Sequence, residues 1–344
     1  MRAIGFQSPH PIDHVEALQD IELPDPVPGG RDILVEIRAV SVNPVDVKIR
    51  ASANPAPGEY RVLGWDASGI VRAIGPDVRD FAIGDEVFYA GALQRAGTNA
   101  ELHLVDERIV GRKPKSLDWA QAAALPLTAL TAWEMLFDRL DIRRDVPGTR
   151  PSVLIIGGAG GVGSMAIQLA RALTDVTVIA TASRPETQGW VRDLGAHHVI
   201  DHRNPLAPQI SELPTGAPGF VFSTTATAQH LEDIVELLAP QGHFGLIDDP
   251  AELNAMPLKR KSLSLHWELM FTRSMFTTPD MDHQGKILND IAALIDSGQL
   301  RTTLGEHFGP INAANLRRAH ALIESGRARG KIVLEGFESD GETA

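Results

Sequence analysis

The stretch Ser152–Leu173, SVLIIGGAGGVGSMAIQLARAL, carries the strongest structural signal in the chain. Val153 to Ile156 is a short apolar run, which predicts a strand buried on both faces of a parallel sheet. Gly158, Gly160 and Gly163 then spell G-x-G-x-x-G. The first glycine permits a tight turn, the second lets backbone approach a pyrophosphate, and the third lets helix pack against strand. Beyond them Val162, Met165, Ala166, Leu169, Ala170 and Leu173 recur at helical spacing and give the helix an apolar face. Its N-terminus, with free N–H groups and a positive dipole end, would point at phosphates. Gly158, Gly160, Gly161, Val162 and Gly163 are therefore the candidate cofactor residues of the turn. The plainer reading is an ordinary glycine-rich strand–helix turn, and the strands that follow favour the dinucleotide.

Those strands alternate with helices. Val176 to Ala180 predicts the next strand, and a helix over Gln188 to Leu194 ends at Gly195 as a C-cap. Val199-Ile200, Phe220 to Phe222 and His243 to Ile247 supply further strands. Ala228, Leu231, Ile234, Val235 and Leu238 make an amphipathic helix before the last of them. This βαβ order marks a doubly wound parallel sheet. An NAD site places an acid at the end of the second strand. Here the strand runs into Thr181, Ala182, Ser183 and Arg184. A hydroxyl and a guanidinium suit the 2′-phosphate of NADPH, since Arg gives a forked, charge-assisted contact. Glu186 is the nearby acid that would serve an NAD ribose instead.

Upstream the pattern changes. Ile33 to Val40 alternates apolar and polar, and short strands at Ser68 to Ile74, Glu86 to Tyr89 and Ala100 to Val105 follow between Gly and Pro turns. This predicts a compact β-barrel-like domain. Asn43-Pro44 in SVNPVDVKIR is a turn-initiating pair, with Asn43 and Asp46 as an Asx-turn and helix cap. Trp119 to Leu136 predicts a helix interrupted near Pro126. Trp267, Met270, Phe271, Met275 and Phe276 suggest an apolar packing cluster. A helix over Gly285 to Ile295, another near Ala313 to Glu324 and a strand at Lys331 to Leu334 end the chain, and these pieces fit the N-terminal domain better than the βαβ sheet.

The whole chain sets bounds. Its 344 residues favour two domains. A net charge of −12 argues against a polyanion partner, so nucleic acid is not expected. Cysteine is absent, which removes disulfides, thiolate nucleophiles and Cys-ligated metal. The start MRAIGFQSPH lacks a signal-peptide core and no run approaches a membrane span, so cytoplasmic residence without membrane contact is expected.

Taken together, SVNPVDVKIR, LGWDASGIV, ALPLTALTAWE, the glycine-rich turn and GKIVLEGF resemble the medium-chain dehydrogenase/reductases. The resemblance is to the quinone-oxidoreductase branch, in the subgroup of zinc-type alcohol dehydrogenase-like proteins. It implies an α/β fold: a GroES-like β-rich catalytic domain plus a Rossmann domain with a doubly wound parallel sheet. The expected division is 1–124 and 268–344 for the catalytic domain and 125–267 for the NADPH-binding domain. Zinc-dependent relatives carry a Cys after the first core strand, a His-Glu pair after a Gly, and a second Cys before the cofactor domain. Here those positions hold Asn43, Trp65-Asp66 and approximately Leu127. Neither indole nor leucine ligates Zn²⁺, and an amide oxygen replaces thiolate poorly. His197, His198 and His202 read as surface residues, so a metal-free protein is expected.

Without a Lewis acid, reduction of an activated acceptor is favoured over oxidation of simple alcohols. A quinone or enone takes hydride at carbon and spreads charge onto oxygen, which hydrogen-bond donors stabilise. Asn43, by motif position, and Tyr60, by its chemistry, are the candidate donors. Thr131 matches the family position beside the cofactor, and Lys331 is a candidate for closing over it. The expectation is an NADPH-dependent quinone or α,β-unsaturated carbonyl reductase. The alternatives are a zinc alcohol dehydrogenase and a non-catalytic NADPH-binding protein. A homodimer is also expected, from family habit and from the exposed edge of strands near Phe244 and Leu265.

Overall fold

The structure, a computed structural model, describes residues 1–337. Its described Cα positions divide into two compact units, one of Met1–Leu127 with residues 271–337, the other of Thr128–Met270.

The first unit begins with β1 (Arg2–Phe6), β2 (Gln19–Glu22), β3 (Asp32–Val42), α1 (Pro44–Ser52), β4 (Arg61–Val62) and β5 (Asp66–Ile74). There follow β6 (Glu86–Tyr89), β7 (Leu102–Asp106), β8 (Val110–Arg112), α2 (Trp119–Ala123) and the start of α3 (Pro126–Trp133). β3 is its backbone. Along Asp32–Ala39 buried residues alternate with half-buried ones, and from Ala39 to Val42 every side chain is inside. The strand thus carries the chain from a half-solvated edge into the core. Pro44 then starts α1, where a missing N–H costs nothing. The expected break near Pro126 is present, with α2 ending at Ala123 and α3 starting at Pro126.

The second unit is built on β9 (Ser152–Ile156), α4 (Gly161–Leu173), β10 (Thr177–Thr181), α5 (Pro185–Asp193), β11 (His198–Ile200) and α6 (Leu206–Ser211). β12 (Phe220–Ser223), α7 (Thr227–Leu237), β13 (His243–Leu246) and β14 (Ser264–Trp267) complete it. Its six strands are all parallel, in the order β11-β10-β9-β12-β13-β14. Strand order reverses between β9 and β12, and open α/β sheets bind ligands at that kind of reversal. Every residue of β9 is buried, as an apolar run covered on both faces requires. α4 packs through Met165, Ala166, Leu169 and Ala170, all 0% exposed, while Val162 and Leu173 are only half-buried. Burying each large side chain contributes about 1.5–3 kcal/mol. α5 starts at Pro185, three residues before the expected Gln188. The reason is local: Thr187 Oγ1 accepts the Arg184 N–H at 3.1 Å and donates to the Arg184 carbonyl at 2.9 Å, closing the cap.

From Phe271 the chain supplies α8 (Thr272–Phe276), α9 (His283–Asp296), β15 (Leu304–His307), α10 (Ala313–Glu324) and β16 (Lys331–Glu335) to the first unit. β16 pairs antiparallel with the end of β3, Ile332 opposite Val42, and parallel with β15. The N-terminal sheet is therefore finished by the last described strand. The apolar cluster expected around Trp267 is only partly one. Met270 and Phe271 are buried, but Trp267 is 52% and Phe276 72% exposed. Trp267 ends β14, the outermost strand of its sheet, so no neighbouring strand covers it. Among the described residues no helix is long and apolar enough to cross a membrane.

Candidate functional site

The glycine-rich turn leaves β9 and enters α4 with each glycine in a different part. The left-handed residue is Gly157, with φ +82°, and not Gly158 as the spacing suggests. Gly158 is needed for space, because a Cβ there would lie 2.9 Å from Ala180 Cβ on the neighbouring strand. A Cβ on Gly163 would come within 2.3 Å of the Gly157 carbonyl oxygen, so the helix can pack only without one. At Gly160 the space is open, with nothing nearer a Cβ than Gly157 O at 3.5 Å. Gly160 is the N-cap of α4 and supplies no side-chain cap, which leaves the first N–H groups of Gly161, Val162 and Gly163 for a ligand. An unfilled cradle under a helix N-terminus fits a pyrophosphate.

β10 ends beside that turn. Thr181 Oγ1 accepts the Gly157 N–H at 3.0 Å, and Thr181 O accepts the Gly158 N–H at 3.1 Å. Ser183 and Arg184 follow, both half-buried. Arg184 Nε lies 3.1 Å from Glu186 Oε1. The acid that would favour an NAD ribose is thus engaged by the guanidinium that would favour a phosphate. His202 belongs here too, and sequence reasoning misplaced it on the surface. β11 lies alongside β10 with Ile200 opposite Thr181, so His202, two residues on, comes next to that threonine. Its Nδ1 lies 3.2 Å from Thr181 Oγ1, and partial burial holds its pKa below the ordinary histidine value. His197 is exposed, yet its Nδ1 accepts the Val178 N–H at 2.9 Å. Thr131 is a buried residue of α3.

In the first unit Asn43 and Lys331 come together in a buried polar cluster with Asp46 and Asp66. Asn43 Nδ2 donates to Asp66 Oδ2 at 2.8 Å, and its Oδ1 accepts from the Lys331 ammonium. Lys331 Nζ also donates to Val42 O at 2.9 Å and lies 3.2 Å from Asp66 Oδ2. Asp66 Oδ1 accepts the Leu127 N–H at 2.7 Å. Asp46 accepts the N–H groups of Asn43 at 2.8 Å and Gly64 at 2.9 Å. Burial pushes the Asp46 carboxyl up to about 7, against the lowering effect of the Asn43 N–H and the Lys331 charge. The cluster corrects two expectations. The Asn43 amide has both ends committed and offers nothing to a substrate oxygen, and all three donors of Lys331 are spent, so it is not free to close over a cofactor. Tyr60, by contrast, is 37% exposed, and its hydroxyl makes no hydrogen bond among the described residues.

Zinc does not fit these residues. Trp65, where a histidine would be required, is 1% exposed and packs edge-on against Phe271 at 6.0 Å between ring centroids. Leu127 offers only a backbone N–H, and the remaining oxygens already surround an ammonium that would repel a dication. Among the described residues, the group of side chains close enough to share a metal is His10, His14 and Glu16, on the loop before β2.

A chain that carries a parallel Rossmann sheet with this turn, and a second sheet domain assembled from the segments before and after it, has the build of an oxidoreductase of the alcohol dehydrogenase type. The chain belongs to the medium-chain dehydrogenase/reductase superfamily, in its quinone-oxidoreductase-like branch. Residues 29–115 match the family model for the alcohol dehydrogenase GroES-like domain, and 194–334 that for a zinc-binding dehydrogenase. A zinc-type alcohol dehydrogenase-like protein of Staphylococcus aureus (strain COL) is 41% identical over 339 residues, covering 97% of this chain and 99% of the relative. A solved structure from Rhizobium etli CFN 42, named for a zinc-dependent alcohol dehydrogenase, is 63% identical with a TM-score of 0.97, over 98% of this chain and 99% of that one. The quinone oxidoreductase of Escherichia coli, solved in complex with NADPH, is 26% identical with a TM-score of 0.80, over 97% of this chain and 100% of that one.

Proposed function

We propose that the protein is a zinc-independent, NADPH-dependent reductase of quinones or α,β-unsaturated carbonyls. The observation that carries this reading is the oxygen set at Asn43 and Asp66, which is saturated by Lys331 and leaves no place for a Lewis acid. A reaction run without a metal needs an acceptor that is already activated. Bound nicotinamide supplies the hydride, and the chain's task is to orient the cofactor and manage charge. The open backbone at Gly160 and the N–H groups of α4 would hold the pyrophosphate, with Ser183 and Arg184 on the 2′-phosphate. With Asn43 withdrawn into the cluster, Tyr60 is the remaining donor for the developing oxyanion, and water supplies the proton.

The test is NADPH oxidation by the purified protein with a panel of quinones and enones, alongside metal analysis. Turnover that survives chelators in protein without stoichiometric zinc supports the reading. Turnover lost and regained with zinc would establish a zinc alcohol dehydrogenase, and cofactor binding with no turnover on any acceptor would leave a non-catalytic binding protein.

We extend the proposal to assembly and place. β14 is an edge strand, and Trp267 and Leu269 near its end are 52% and 51% exposed. A second copy pairing there would cover both, giving a homodimer. We place the activity in the cytoplasm, on a small molecule, since a net charge of −12 disfavours nucleic acid as a partner.

A further inference from the structure

The buried cluster of Asn43, Asp46, Asp66 and Lys331 has the chemistry of a cation site rather than of a lone ion pair. Lys331 Nζ faces a main-chain carbonyl, an amide oxygen and a carboxylate, on Val42, Asn43 and Asp66. An ammonium has three N–H donors, and here each has an oxygen. The oxygens are themselves fixed from behind. Asn43 Nδ2 and the Leu127 N–H hold the two oxygens of Asp66, and Asp46 is held by the N–H groups of Asn43 and Gly64. These partners come from the end of β3, the starts of α1, β5 and α3, and the start of β16. Asp46, Asp66 and Asn43 are at most 1% exposed and Lys331 3%. Carboxylates so deeply buried need a compensating charge inside the protein.

We propose that this cluster is a built cation-binding site whose cation is the chain's own Lys331 ammonium, delivered from the far end of the sequence. It rests on the zinc-free reading in one respect: the oxygens a metal would use are already occupied. Removing the ammonium while keeping the oxygens leaves a cavity for a small primary alkylammonium. Lys331→Ala deletes the equivalent of propylammonium, which is therefore the probe.

The experiment compares melting temperatures of the full chain with Lys331→Ala, Lys331→Met, Asp66→Asn and the double variant Lys331→Met/Asp66→Asn. Lys331→Ala is expected to melt roughly 5–15 °C below the parent, as for a buried pair broken on one side. Propylammonium should raise its midpoint by several degrees and leave the parent unchanged. Tetramethylammonium, which has no N–H donors, and sodium chloride at equal ionic strength should do neither. The double variant should melt above both of its single variants, because removing both charges leaves no orphan. Equal stability of Lys331→Ala and parent, equal rescue by all three salts, or a double variant no better than its singles would overturn the proposal. If Lys331→Ala does not fold, the double variant decides, and its failure to fold also overturns it. Zinc in the parent protein, with activity that follows it, would end the zinc-free reading while leaving these melting comparisons intact.

Discussion

The indole N–H of Trp190 donates to the Ser164 hydroxyl at 2.8 Å, tying α5 to the first turns of α4. α4 presents its N-terminus where a pyrophosphate would sit, and α5 is capped by Arg184. The two elements that would meet the cofactor's phosphates are thereby tied to each other by a half-buried bond.

Arg184→Ala should raise the KM for NADPH roughly 10- to 100-fold and change that for NADH little, because a hydrogen bond to a charged group contributes about 1.5–3 kcal/mol. Turnover at saturating cofactor should hold, since the contact is remote from the hydride. Initial rates with both cofactors check this. Equal loss with the two, or loss with neither, would remove Arg184 from the 2′-phosphate and make Glu186 the candidate ribose ligand.

Gly160→Val and Gly163→Val should part company. The first places its side chain in open space at φ −72°, so the protein should stay folded while cofactor binding disappears. The second drives a Cβ to within 2.3 Å of the Gly157 carbonyl, and the protein should lose the turn together with much of its stability. Melting curves and cofactor titrations separate the two. A Gly160→Val protein with unchanged affinity would place the phosphates elsewhere.

Asp46 should imprint a pH dependence on stability. Its carboxyl titrates at the ordinary 3.8 in the unfolded chain and at about 7 when buried. Between those values the folded state holds a proton that the unfolded state has released, so this contribution falls as pH rises through the window and levels off above it. Denaturant midpoints of the parent and Asp46→Asn, measured across that range, should differ most in slope midway between the two values and run parallel below and above the window. Curves parallel throughout would assign the slope to other groups.

Trp267→Lys should turn a dimer into monomers in sedimentation at micromolar concentration, because it puts a charge where an edge strand needs an apolar partner. A parent that sediments as a monomer would remove the dimer altogether.

The two sheets were legible because each rests on short-range pattern: the buried run of β9, the glycines after it, and the alternation along β3. Other features lay beyond local reading. Gly157 and Gly158 are adjacent glycines, and only the approach of Ala180 shows which one turns and which one yields space. Asn43 looks like a donor in its motif, yet the partner that consumes its amide lies 288 residues away. His202 looked like surface because its meaning depends on the register of β11 against Thr181. Local sequence therefore supplied the candidate residues, and distant neighbours decided which of their groups are free.

The pairing of β16 with β3 also sets an order of manufacture. While the chain is being made, β9 through β14 emerge complete and can close their sheet before β16 exists. The first unit cannot do so. Until Lys331 leaves the ribosome, Asp46 and Asp66 have no ammonium to shelter with, and the end of β3 has no neighbour on the side that Ile332 to Glu335 will fill. A product that stops short of β16 therefore carries a finished half and an unfinished one, with an open strand edge and stranded carboxylates exposed to proteases. Closure of the first unit therefore waits on a segment that follows the whole of the second.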